Sequence, residues 1–150
     1  MRRAGRRVRL LEADLDHPDG ADRALAQVDD GFGRLDAVVT FPAPAIDGSR
    51  SVDEVLAPPF QLVRLCATRL RATSGSVVVC LGDAGDAATE PLRALTRALA
   101  GALVPHVRVN AVSPGEGTTA READWVRAVL FVLASPHLRG EIVRVETPPA

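Results

Sequence analysis

The stretch Val109-Asn110-Ala111-Val112-Ser113-Pro114-Gly115 carries the clearest information on the fold of this chain. Its apolar residues predict a strand over 107–112, and the Pro-Gly pair that follows is typical of a loop. Four further strands are predicted over residues 8–12, 36–40, 76–81 and 141–145. The strand over 76–81 is apolar on both faces, as a buried parallel strand should be.

Apolar residues at helical spacing lie between these strands. Helices are predicted over residues 16–30, 52–71, 89–104 and 121–134. Pro58 and Pro59 interrupt the second helix, so its regular part is predicted to begin near Pro58. Strands that alternate with helices indicate a parallel sheet covered on both faces. The length of 150 residues fits one domain with a proper core, without internal repeats.

The composition limits the classes of protein to consider. Apolar residues make up 47% of the chain, as in globular proteins, and the formal net charge of −1 gives no field that would draw the chain to nucleic acid. No apolar run reaches about 18 residues, so no membrane helix is predicted. No secretory signal is present, and we expect a cytoplasmic location. Cys66 and Cys80 lie inside apolar runs and are predicted to be buried.

Six further segments of the chain are informative because of their order and their spacing. They are VRLLEAD at 8–14, FGRLDAVV at 32–39, GSVVV at 75–79, LTRALA at 95–100, FVLASP at 131–136 and GEIV at 140–143. With NAVSPG at 110–115, they resemble the short-chain dehydrogenase/reductase family. The resemblance implies an α/β, Rossmann-like three-layer sandwich, with a mostly parallel sheet of about five strands in a single domain over residues 1–150.

The glycine-rich first βαβ unit of the family is not found in the sequence. The chain starts after the point where that unit would lie, so we expect an N-terminally truncated domain. The alternative is a misassigned start codon, with the glycine-rich turn encoded upstream.

The residues that perform the family's proton transfer are also missing. The family uses a tyrosine and a lysine one helical turn apart, and this chain contains neither residue type. By the resemblance, their positions fall near Gly85 and Thr89, and the catalytic serine falls at Gly82 or one position away. The family's Asn-Asn-Ala-Gly reads Thr40-Phe41-Pro42-Ala43 here. We therefore expect the family's fold without its hydride transfer.

Three acids lie near the former catalytic corner, namely Asp83, Asp86 and Glu90. One interpretation is a replacement acid/base pair that supports altered, non-redox chemistry. The other is a set of ordinary acids near a helix start, which the helix dipole favours. No ligand set with metal-binding spacing appears, so no metal site is predicted.

Remnants of a cofactor site follow from the resemblance alone. Asp14 matches the position that contacts adenine in the family. Thr119 matches the threonine that follows Pro114-Gly115 and touches the carboxamide of NAD or NADP. Without the glycine-rich turn and its helix N-terminus, the pyrophosphate loses its main binding site, so we expect no bound dinucleotide.

Two functions of different classes stay open. The first is a non-catalytic subunit that binds another protein, as a homodimer or as a heteromer with a related dehydrogenase. The second is a cyclase, isomerase or dehydratase that takes a small-molecule ligand in the remodelled pocket.

The missing unit predicts two structural consequences. The family's sheet runs in the order 3-2-1-4-5-6-7, so a vacancy of roughly 10–15 Å would separate residues 8–12 from residues 36–40. We expect these two strands to pair directly, because the vacancy would expose two strand edges. The loss also uncovers one face and one edge of the sheet, which a partner should cover. The expected contacts are the helix with Leu92, Leu95, Leu99 and Leu103 and the helix from Pro58 to Arg71, around a two-fold axis.

Overall fold

A computed structural model of the chain describes residues 8–13, 19–42, 51–82, 87–115 and 121–146. Helices and strands alternate along these residues. The helices are α1 (Gly20–Phe32), α2 (Val52–Thr73), α3 (Thr89–Leu103) and α4 (Glu122–Ala134). The strands are β1 (Ala37–Thr40), β2 (Ser76–Cys80), β3 (Arg108–Pro114) and β4 (Ile142–Val145).

The four strands form one parallel sheet in the order β1-β2-β3-β4. Val77 of β2 is in register with Val38 of β1 and with Val109 of β3, and Val112 of β3 is in register with Val143 of β4. The carboxyl ends of all four strands therefore lie at the same edge of the sheet. The predicted α/β class with helices on both faces of a parallel sheet is confirmed.

Side chains of each strand alternate between two hydrophobic cores. On the first face, Val77, Val79 and Val109 pack with residues of α1, α2 and α3. On the second face, Val78 and Val112 pack with residues of α4 and with Val145. The connections through α2, α3 and α4 each lead to the next strand in the same direction across the sheet. Because α4 lies on the opposite face from α2 and α3, its connection has the opposite hand. α4 is the one described helix on the second face.

Residues 8–12 do not form the predicted fifth strand. Val8 and Leu10 are 87% and 98% exposed, and residues 8–13 have no strand pairing. The segment lies beside α1 instead, where the Arg9 guanidinium donates to the Gln27 carbonyl at 3.5 Å. A strand beside β1 would need two apolar faces. In a strand, Arg9 and Glu12 would place a charged side chain on each face. The predicted pairing of residues 8–12 with β1 is therefore wrong.

The second helix begins earlier than predicted. α2 starts at Val52, and Pro58 and Pro59 lie inside it. A capping box fixes this start: the Ser51 hydroxyl accepts from the Glu54 N–H at 3.3 Å, and the Glu54 carboxylate accepts from the Ser51 N–H at 2.7 Å. The cap satisfies orphan donors of the first turn, so the helix tolerates the two prolines one turn later.

The leucines of α3 belong to the core of the chain itself. Leu92, Leu99 and Leu103 are buried in the first core, and Leu95 packs against it. This face of α3 is therefore not available to a second subunit, contrary to the expected contact through these leucines.

Candidate functional site

The carboxyl edge of the sheet holds a cluster of three polar side chains. Arg93 lies in the first turns of α3 and reaches across to the end of β3. Its guanidinium donates to Glu90 Oε1 at 2.8 Å and to the Ser113 hydroxyl at 3.2 Å. The Ser113 hydroxyl in turn donates to the Pro114 carbonyl at 3.2 Å. We call Glu90, Arg93 and Ser113 the edge cluster.

The edge cluster differs in exposure from one member to the next. Ser113 is completely buried, the Arg93 side chain is 18% exposed and the Glu90 side chain is 76% exposed. The Nε of Arg93 is buried and has no hydrogen-bond partner among the described residues. A guanidinium stays protonated at any physiological pH, so Arg93 can orient or neutralise an anion but cannot relay a proton. Glu90 is held as the counter-ion of Arg93.

The other predicted site residues fall into two groups. Asp14, Asp83, Asp86 and Thr119 lie outside the described residues. Pro114 ends β3, and the Gly115 N–H donates to the Val145 carbonyl at 2.9 Å, which extends the β3–β4 ladder by one bond. Gly82 follows β2 at the same edge and presents no side chain there. Glu90, Pro114 and Gly82 therefore lie at one edge of the sheet.

Asn110 of β3 stabilises the segment that leads from α4 into β4. It is fully buried in β3. Its side-chain N–H group donates to the Leu138 carbonyl at 3.0 Å, and its carbonyl accepts from the Glu141 N–H at 3.0 Å. Both bonds fix the connection between α4 and β4. Asn110 is thus a structural residue that holds β4 beside β3.

An apolar cleft opens on the second face, between α4 and β1. It measures about 580 Å³ and is lined by Val39, Phe41, Glu122, Trp125, Val126, Val129 and Leu130. The Phe41 ring meets Trp125 edge-on, with 6.4 Å between ring centroids and 60° between planes. Glu122 supplies the sole charged side chain of this lining. We call this feature the α4–β1 cleft.

Sequence reasoning missed both Arg93 and the α4–β1 cleft. Glu90 and Arg93 at i,i+3 on one helix were a visible ion-pair signal, but their link to Ser113 depends on tertiary contact. The signal for the cleft was the uninterrupted apolar run over residues 128–134, AVLFVLA, which leaves the end of this helix apolar on all sides.

Solved structures share this architecture. An oxidoreductase of the short-chain dehydrogenase/reductase family from Brucella ovis, solved with a partially ordered NAD, superposes with a TM-score of 0.63 at 25% identity, over 89% of this chain and 76% of that one. An acetoin dehydrogenase from Enterobacter cloacae gives 0.71 at 22% identity, over 91% and 72%. A glucose dehydrogenase from Caenorhabditis elegans gives 0.70 at 21% identity, over 89% and 71%.

The chain has the short-chain dehydrogenase/reductase fold. The resemblance predicted from the sequence is thereby confirmed at the level of the fold. Neither a protein-family model nor a curated protein sequence matches the chain.

Two further features bear on what this short-chain dehydrogenase/reductase fold can bind. Among the described residues, no group of three or more His, Cys, Asp or Glu side chains is placed to hold a metal ion. None of the described helices is both long and apolar enough to cross a membrane.

Proposed function

We propose that this chain is a non-catalytic subunit with the short-chain dehydrogenase/reductase fold, and that it acts by binding another protein chain. One observation carries the proposal. At the carboxyl edge, where the fold presents its catalytic groups, the described residues offer the edge cluster and the bare Gly82. That set lacks the tyrosine and the lysine through which the family transfers its proton, and the chain contains neither residue type.

The chemistry of the edge cluster supports this proposal. A general acid or base needs a pKa near the working pH and a free path to the substrate. Glu90 is largely exposed, and its carboxylate is engaged by the Arg93 guanidinium. Ser113 is buried, and its hydroxyl already accepts from Arg93 and donates to Pro114. We also propose that no dinucleotide cofactor is used, because the 150 residues contain no Gly-x-Gly-x-x-Gly turn to hold a pyrophosphate.

The proposal is tested by cofactor binding and turnover. Isothermal titration with NADH and NADPH should give no binding signal up to about millimolar concentration. The absorbance band of the reduced cofactor should stay constant with a panel of carbonyls and alcohols. An acetoin dehydrogenase assayed in parallel serves as the positive control. Oxidation or reduction above background by the purified chain would overturn the proposal.

Substitution distinguishes the non-catalytic proposal from its alternative. The alternative is an enzyme of altered non-redox chemistry that uses Asp83, Asp86 or Glu90. Glu90→Gln keeps the shape of the side chain but removes its charge. Asp53→Asn is the matched control, because Asp53 is also an exposed acid in a first helical turn. A non-redox turnover that is lost in Glu90→Gln and kept in Asp53→Asn would replace the non-catalytic proposal with the enzymatic one.

A further inference from the structure

The second face of the sheet is short of one helix. α4 packs on β2, β3 and β4, so it is centred on β3. β1, which no described helix covers on this face, lies two strand spacings away, which is about 10 Å. Packed helices lie about 8–10 Å apart. The space above β1 therefore has the width of one helix laid beside α4.

The surface of this space is apolar. Val39 of β1 points into it and is 39% exposed, and Phe41, just after β1, is 67% exposed. On the α4 side, Val126 is 50% exposed and Leu130 is 59% exposed. Large apolar side chains that line one continuous cleft indicate a contact surface. A helix that fills it must therefore present an apolar side.

α4 has the property that such an occupant needs. Trp125, Val129 and Val132 face its own sheet, while Val126 and Leu130 remain exposed on another side. A helix that is apolar around most of its circumference is normally buried on more than one side. α4 is thus buried on one side by its own sheet and lacks a cover on the other.

We propose that a second copy of this chain seats its α4 above β1 in the α4–β1 cleft, around a two-fold axis. By symmetry, α4 of the first copy then lies above β1 of the second. The two α4 helices lie side by side between two sheets. One contact fills the helix-sized space on both copies and buries the exposed side of both helices, as an isologous interface requires.

The charges of α4 allow this approach. The Asp124 carboxylate accepts from Arg121 at 3.3 Å and from Arg127 at 3.4 Å, so the helix neutralises this acid internally. The whole chain carries a net charge of −1, which gives little repulsion between copies. Glu122 lies at the N-terminal end of the helix, where it can stay at the solvated rim.

The inference rests on the proposed function, since both require association with another chain, but the two fail separately. Redox turnover by the chain would overturn the proposed function and leave this surface intact. A dimer that forms through α2 would keep the proposed function and overturn this surface.

Sedimentation velocity over a range of concentrations tests the surface. The wild-type chain should have twice the chain mass at micromolar concentration. Leu130→Asp should raise the dissociation constant at least about 30-fold, because a charge replaces an apolar contact at the centre of the interface. Phe60→Asp is the matched control, since Phe60 is 43% exposed on α2, on the first face. It should leave the dissociation constant within about threefold of wild type.

A second measurement does not depend on the folding of any variant. Trp125 is the sole tryptophan of the chain and lines the cleft. Its emission should shift to shorter wavelength as the wild-type concentration rises through the dissociation constant. A wild-type chain that is still a monomer with constant emission at about 100 μM would overturn the proposal, because a stable interface has a dissociation constant below that concentration. Dissociation by Phe60→Asp with Leu130→Asp still dimeric would do the same.

Discussion

Asn110 shows how one buried polar side chain can hold a strand in place. It makes two hydrogen bonds with the backbone of the α4–β4 connection. Asn110→Leu keeps the branched shape of the side chain but removes the hydrogen-bond partner of the Leu138 carbonyl and of the Glu141 N–H. We expect a loss of about 2–3 kcal/mol in the free energy of unfolding, measured by urea denaturation. Ser135→Ala is the control: it removes one exposed hydroxyl bond and should cost less than about 0.5 kcal/mol.

The thiols of Cys66 and Cys80 make the stability of the chain depend on pH in the alkaline range. Burial raises the pKa of Cys66 to about 11 and the pKa of Cys80 to about 12, from an ordinary value of 9.0. The unfolded chain therefore loses these protons first as the pH rises. The stability that the neutral thiols contribute is complete below pH 9.0 and is lost as the pH rises through about 11 and 12. No tyrosine or lysine titrates in this window, because the chain has none.

The free energy of unfolding should accordingly fall above pH 9.0 by about 1.4 kcal/mol per pH unit for each thiol. Urea denaturation from pH 8 to about 10.5 measures the slope. The Cys66→Ala, Cys80→Ala double variant should give a nearly flat profile. An equal slope in the double variant would show that the thiols are not its cause.

At the residue level, the sequence could identify what is missing more readily than what replaces it. The absence of tyrosine and lysine is read directly from the chain, and the burial of Cys66 and Cys80 follows from the apolar runs around them. The edge cluster could not be predicted, because Arg93 and Ser113 are 20 residues apart. Their contact exists only once α3 packs against β3.

At the scale of the elements, the C-terminal end of α4 is capped by a side chain from β3. The Arg108 guanidinium, from β3, donates to the carbonyls of Ser135 at 2.8 Å, Leu133 at 3.2 Å and Val132 at 3.4 Å. Desolvation, and then the charge of Arg139, lower the pKa of Arg108. The carbonyls at the negative end of the helix dipole offset that cost, so the charged form persists.

Arg108→Met should therefore destabilise the chain by about 2 kcal/mol, because three helix-end carbonyls lose a charged donor and only those of Val132 and Ser135 keep a backbone N–H from the residues that follow the helix. Amide hydrogen exchange should rise most in the last turn of α4. Arg127→Met is the control: Arg127 has a side chain that is 79% exposed and should change stability by less than about 0.5 kcal/mol. Uniform acceleration of exchange across all four helices would argue against a local role for Arg108.

Apolar periodicity located the helices and the four strands of the sheet, but two elements show its limits. In the segment over 8–12, apolar residues were sufficient to suggest a strand. The tertiary contact of Arg9 with α1 decides its position instead. In α2, the prolines suggested a late start, and the Ser51–Glu54 capping box overrides them. Local composition was informative in both cases, and a single competing hydrogen-bonding group changed the result.

At the scale of the whole molecule, the sequence predicted an uncovered face and edge of the sheet. Among the described residues, no helix lies above β1 on the second face, next to α4. The sequence alone directed the partner to α2 and to α3, whose leucines form an evident apolar stripe. That stripe is required by the first core. Which of two apolar helices faces outward depends on the face of the sheet to which each crossover leads, and periodicity does not determine this.

Association through the α4–β1 cleft should couple folding to protein concentration. A partner that binds the folded state and not the unfolded one stabilises it by mass action. For a two-fold dimer, each tenfold rise in concentration adds about 0.7 kcal/mol per chain, or roughly 2 °C in Tm for a chain of this size. Differential scanning calorimetry from about 5 to 500 μM covers two such steps. Leu130→Asp should remove the concentration dependence while keeping the Tm of the monomer, and Phe60→Asp should retain it. A wild-type Tm that does not change across this range would show that the chain folds without a partner above β1.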